Sequence, residues 1–192
     1  MHFGLDGQFN SLKSTAEEKD IVDGTTSPLD TRYPDGDNTM NNAAVYFSHS
    51  WRINDQVTLN DGFRVGMTTL NSTFEDTTFF KFPFKEVNQQ HFVYSGSVGL
   101  IHIPNDDLKF SVLLSTGFRA PNVDDLAKVF ESTLGTVIVP NEDLKPEQTV
   151  NTEIGITKIY NGVSSWENTL YYTQFYNAII TDKFQYQGQD SI

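Results

Sequence analysis

The sequence predicts an all-β chain: about seven strands of a large antiparallel transmembrane β-barrel, with a short helix in one external loop. Three observations predict it. Apolar and polar residues alternate in runs of about ten residues or more, the length that crosses a bilayer when tilted; globular strands average nearer five or six. Tight turns and long polar connections take turns along the chain. Aromatic residues are frequent, with 15 Phe and 8 Tyr in 192 residues, yet mean hydropathy is only -0.39. A strand that shows lipid one face and a lumen the other averages to that kind of value.

The elements follow in order. Residues from Phe3 to Phe9 read as the end of a strand. Ala43, Val45, Phe47 and Trp51 share a face in the next. Then Val57, Leu59, Phe63, Val65 and Met67 stand against Asn60, Gly62, Arg64 and Gly66. Phe92, Tyr94, Val98 and Leu100 stand against Ser95, Ser97 and Gly99. The clearest run sets Leu108, Phe110, Val112, Leu114, Thr116 and Phe118 against Lys109, Ser111, Leu113, Ser115 and Gly117. Val150, Ile154, Ile156 and Tyr160 oppose Asn151, Glu153 and Thr157, and the aromatic stretch from Val163 to Tyr176 alternates less regularly. Hydrocarbon satisfies no polar group, so Phe63, Val98, Phe110 and Leu114 are expected outward, with Arg64, Ser97, Ser111 and Ser115 inward. Asn60, Arg64, Asn151 and Glu153 are the expected lumen residues.

Short turns are expected at Asn54-Asp55, at Pro104-Asn105-Asp106-Asp107 and at Asn161-Gly162. Long connections run from about Ser14 to Asn41, Leu70 to Gln90 and Arg119 to Gln148. A transmembrane barrel segregates loops this way because tight turns face the periplasm and large loops face outward. In the last connection Asn122 caps a short helix, with Asp125 three residues on and Val123, Leu126 and Phe130 on one face.

Several function classes fall away. A net charge of -12 denies a nucleic-acid binder its basic face. No cysteine is present, which excludes disulfide scaffolds and Cys metal sites. No run approaches the ~18 apolar residues of a membrane helix. Met1-His2-Phe3-Gly4 is not a signal peptide, so residues upstream are expected. The nucleophile-elbow, zinc-protease and phosphate-loop motifs are all missing. His2, His49, His91 and His102 show no metal-ligand spacing. Asp35-Gly36-Asp37-Asn38 starts like a calcium loop, but Met40 and Tyr46 occupy the positions that require Gly and Glu. No enzyme activity, resident metal or cofactor is expected.

Ser115-Thr116-Gly117-Phe118-Arg119-Ala120-Pro121-Asn122 and Val139-Pro140-Asn141-Glu142-Asp143-Leu144-Lys145-Pro146-Glu147 resemble the paired FRAP and NPNL-type boxes of TonB-dependent receptors, above all the haem and haemoglobin group. Asn151-Thr152-Glu153-Ile154-Gly155 is similar to the strand after the second box, and Thr31-Arg32-Tyr33-Pro34-Asp35-Gly36 to another receptor segment. The resemblance implies an outer-membrane uptake receptor for a scarce nutrient such as an iron complex. It implies lipid around the wall, a plug domain within it, a small-molecule or metal-complex ligand, and a TonB complex engaged through an N-terminal part outside this chain. Residues 1–192 are then a partial barrel, with the plug and the C-terminal strands lying elsewhere. The ligand-loop candidates are Phe118, Arg119, Ala120, Pro121, Lys128, Pro140, Asn141, Leu144, Lys145, Pro146 and Glu147; beside that stands the plainer reading that they only brace the loop. The haem group commonly carries a histidine between its boxes, whereas residues 122–139 hold no His, Met, Cys or Tyr. The loop is therefore expected to meet ligand or partner through Arg119, Lys128 and its helix face without ligating haem iron. Two alternatives stay open: a soluble extracellular carbohydrate-binding β domain, and a passive porin.

Overall fold

The computed structural model describes residues 1–29, 31, 33–75, 85–126, 131–133, 136–137, 141, 143–180, 182–186 and 189–191. Lys128 and Pro140, and the Phe130 end of the expected helix face, lie outside the described residues.

Seven long strands form one antiparallel sheet: β1 (His2–Leu12), β4 (Asn38–Arg52), β5 (Val57–Thr73), β6 (Glu86–Asn105), β7 (Leu108–Arg119), β10 (Glu147–Tyr160) and β11 (Ser164–Tyr176). They lie side by side in chain order. Among the described residues three pairs of short strands accompany the sheet: β2 (Ala16–Lys19) with β3 (Thr26–Leu29), β8 (Glu131–Thr133) with β9 (Thr136–Val137), and β12 (Phe184–Tyr186) with β13 (Gln189–Ser191). Among the described residues one short helix, α1 (Val123–Leu126), follows β7.

All three tight turns gather at one end of the sheet, between β4 and β5, β6 and β7, and β10 and β11. Asn54 closes the first by accepting the Gln56 and Val57 amides on its side-chain oxygen, each at 2.9 Å. Asn161 and Gly162 take positive φ angles of 51° and 66°, as the tightest hairpin turns require. The second turn is narrower than its sequence indicates. β6 runs through Pro104 to Asn105, with a register shift between His102 and Asn105. Proline gives no ladder donor and is tolerated where a bulge leaves a residue unpaired. The Pro104 carbonyl instead accepts the Gln56 side chain at 2.9 Å.

Register sorts the side chains into two faces. One carries the rows Leu5–Val45–Val65–Tyr94 and Val98–Leu114–Thr152–Tyr172. The other carries Asp6–Ala44–Gly66–Val93 and Ser97–Ser115–Asn151–Thr173. The apolar face is the exposed one: Leu5 is 83% exposed, Phe63 54% and Leu114 46%. Burial falls on the polar face, at Asn38, Thr68, Ser72 and Gln89 beside Ala44, Leu70, Val87 and Val93. All eight lie toward the long-loop end. A water-soluble sheet does the reverse, because each large apolar side chain left in water forfeits about 1.5–3 kcal/mol of burial. An exposed apolar face over a polar, partly buried one is the arrangement expected of strands in hydrocarbon.

β11 explains its irregular alternation. It is an edge of the sheet, and Tyr171 and Tyr172, on opposite faces, are 70% and 65% exposed. With aromatics on both faces, period two carries little contrast. On the polar face glycine permits close contact: a Cβ on Gly66 would lie 2.5 Å from the Ala43 carbonyl oxygen.

Candidate functional site

The long-loop end of the sheet brings together most of the candidate residues. β7 pairs with β6 only as far as Thr116, whose hydroxyl takes the Gly96 amide at 3.0 Å. Beyond it β7 stays paired with β10 alone. Freed from β6, Phe118 departs from the exposed apolar row that its alternation assigns it. Its ring centroid lies 6.0 Å from the Arg64 guanidinium carbon, and both line a cavity of about 390 Å³ with Asp6, Ala44 and Val93. Asp6 holds Arg64 at 3.1 Å across β4. The chain after β7 thus folds back over the polar face toward β1 and β4. A second cavity of about 310 Å³ lies farther out, where Asn122, Val123 and Asp124 face Asn10, Leu12 and Asn38.

Arg119 is the fastening point of this loop. Its Nε donates to Glu147 at 2.5 Å and its Nη1 to Asp125 at 2.6 Å. Asn122 and Asp125 cap each other reciprocally: the Asp125 amide donates to the Asn122 side-chain oxygen at 3.0 Å, and the Asn122 amide to the Asp125 carboxylate at 3.1 Å. Glu147 also accepts the Ile179 amide at 2.7 Å. One guanidinium therefore ties together the end of β7, α1, the start of β10 and the segment after β11. A span takes about 9–11 residues, so the Arg119–Glu147 pair, last in the ladder, stands on the loop side of the crossing. The Arg119 hydrogen bond, then the Ile179 amide, hold the Glu147 carboxyl below its ordinary range. Glu147 in turn raises the Arg119 guanidinium.

The other candidates sit around that clasp. Pro121 is buried and Ala120 half-buried just beyond β7. Asn141 turns the return path by accepting the Asp143 amide at 2.9 Å. The Leu144 carbonyl accepts Gln89 and the Pro146 carbonyl accepts Asn177, each at 3.4 Å. Lys145 is exposed. Asn60 and Arg64 stand on the polar face of β5, the former between Ser50 and Gly99. Asn151 and Glu153 stand on the same face of β10. The Asn151 amide donates to Glu153 at 2.6 Å, and Thr173 donates to the Asn151 oxygen at 2.7 Å. Asp6 is the residue that sequence reasoning passed over: alternation with Phe3 and Leu5 puts it on the polar face, but only the sheet order brings it to Arg64. Among the described residues no three His, Cys, Asp or Glu side chains converge as metal ligands.

Comparison with known proteins agrees with this geometry. No curated protein matches the chain. Among solved structures, "Copper transporter OprC" superposes with a TM-score of 0.68 at 18% identity, covering 89% of this chain and 26% of that one. A double mutant of the Serratia marcescens hemophore receptor HasR, in complex with its hemophore HasA and heme, gives 0.62 at 11% identity, covering 90% and 33%. The chain spans about a quarter to a third of the length of these two proteins, and the likeness is one of fold. The sequence pattern of the TonB dependent receptor-like, beta-barrel family matches residues 2–191, essentially the whole length. The chain belongs to that family.

Proposed function

We propose that this chain is a wall segment of an outer-membrane receptor that takes up a scarce nutrient, such as an iron complex, at the expense of energy delivered by a TonB complex. The observation that carries the reading is the inverted sheet: an exposed apolar face and a polar face that its own long loop folds across. The apolar face meets lipid. The polar face, with Asn60, Arg64, Asn151 and Glu153, lines a lumen that a plug domain fills. The family is one of receptors and transporters rather than enzymes, and the work of the site is binding. The FRAP- and NPNL-type boxes act here by bracing. Arg119 is spent on Glu147 and Asp125, so the loop meets ligand through surfaces that the clasp positions, without ligating haem iron. The exposed apolar rows weigh against a soluble carbohydrate-binding domain.

The remaining rival, a passive porin, is separated by energy dependence. Uptake of radiolabelled ferric siderophore or haem by iron-starved cells is expected to require the full-length gene and to stop when the proton-motive force is collapsed. Uptake that continues after collapse is the porin result and overturns the reading.

A further inference from the structure

The apolar face is interrupted by a polar pair. Asp61 pairs in register with His49 on one side and Val98 on the other, and neither pairing shifts register along β5. Both side chains therefore share the face of Phe47, Phe63 and Val98. The His49 Nδ1 lies 3.2 Å from the Asp61 carboxylate, and each side chain is about a third exposed. The imidazole stacks on Phe47, with centroids 6.4 Å apart and planes inclined by 27°. Trp51, on the same face and half-exposed, lies two residues nearer the tight turn.

An ionisable residue on a lipid-facing wall is expensive and marks a function by default. A carboxylate with a single partner leaves acceptor capacity unfilled, and hydrocarbon cannot fill it. Position says what can. Asp61 lies four residues beyond Val57, the foot of β5. At ~3.3 Å per residue and a tilt of ~40° this is about 10 Å above the turn, in the turn-side part of an apolar band ~25 Å tall. Trp51, two residues nearer the turn, is the kind of aromatic that marks the membrane interface, so the polar end of a phospholipid comes within about 5 Å of the pair. Resting on the reading that this face meets lipid, we propose that His49 and Asp61 form a docking point for a phospholipid whose headgroup carries a primary ammonium. An anion beside a cation-capable ring matches a zwitterionic headgroup in reverse order. The Asp61 carboxylate accepts the ammonium N–H, the His49 ring beside it faces the phosphate, Trp51 flanks the headgroup on the turn side, and Phe47 and Phe63, on the side away from the turn, pack the glycerol end of the chains.

The test compares the full-length receptor in nanodiscs of phosphatidylethanolamine, phosphatidylcholine and phosphatidylglycerol, with retained lipids counted by native mass spectrometry. Choline keeps the charge but has no N–H, so losing one charge-assisted hydrogen bond sets the expected ethanolamine preference at about tenfold. Asp61→Asn and, independently, His49→Gln are expected to erase it, while Glu153→Gln on the polar face leaves it intact. Equal retention of ethanolamine and choline lipids by the wild-type receptor overturns the proposal without needing any variant to assemble. So does a phosphatidylglycerol preference, which would assign the pair to anion binding. A receptor that embeds normally but shows no preference defeats this inference alone; one that cannot be embedded defeats the barrel reading with it.

Discussion

Leu114→Arg in the full-length receptor is expected to cost about 2–4 kcal/mol of stability in a bilayer, whereas Ser115→Arg, one residue along, is expected to cost under about 1 kcal/mol. Leu114 is the seventh of the twelve residues of β7, near the middle of the crossing, and it lies between Val98 and Thr152 on the exposed apolar face. A guanidinium there has no water within reach and only Val98 and Thr152 beside it; the carboxylate of its row, Asp61, is two strands away and already paired with His49. Ser115 lies between Ser97 and Asn151 on the polar face, where a long cation finds acceptors. Guanidinium titration of the receptor in lipid vesicles measures both. Equal costs for the two variants would remove the case for lipid on one side and lumen on the other.

The second large effect is expected at Arg119. Arg119→Ala should loosen the loop and leave the barrel standing: faster hydrogen exchange at the Asn122, Asp125 and Ile179 amides, with unchanged exchange in the middle of β7 and β10. A hydrogen bond to a charged group contributes up to a few kcal/mol, but Arg119 is 45% exposed and solvent weakens the pair, so about 1 kcal/mol per carboxylate is the expected scale. A double-mutant cycle with Glu147→Gln should show coupling, since one guanidinium serves both carboxylates. The pH dependence has a definite sign. Folding lowers the Glu147 carboxyl from its ordinary value of 4.5, so the clasp's contribution is full above that value and fades as acid carries the carboxyl through its lowered one. Barrel-wide exchange on Arg119→Ala would instead make the residue part of the wall's own stability.

The strands were legible because period two needs only a local window. Phe110, Val112 and Leu114 announce their face without knowledge of any partner, and Asn161-Gly162 announces its turn. Strand ends were less legible: β5 and β6 both run on into the Asn71-Ser72-Thr73 and Glu86–Gln90 stretches, where pairing continues but Val87 is the one apolar residue left to signal it. Phe118 defeated the pattern for a different reason. Its ladder to β10 continues, but β7 has already parted from β6, and alternation carries no information about the loss of a neighbour. The clasp was half visible. Asn122 and Asp125 stand at capping spacing, but Arg119 reaches Glu147 across 28 residues and Arg64 reaches Asp6 across 58, contacts that only the strand order creates. His49 and Asp61 fall on apolar positions in sequence, yet their pairing appears only when two strands are laid in register.

The central claim is that the apolar face of this sheet meets lipid. The chain contains no cysteine, so single cysteines carrying a spin label can be placed in turn at each position from Phe110 to Ser115 of the reconstituted receptor, and collision rates measured with oxygen and with a water-soluble nickel chelate. The structure predicts strict alternation: oxygen accessibility at Phe110, Val112 and Leu114, and low oxygen accessibility at Ser111, Leu113 and Ser115. Nickel accessibility at Phe110, Val112 and Leu114, as for a face in water, would contradict it.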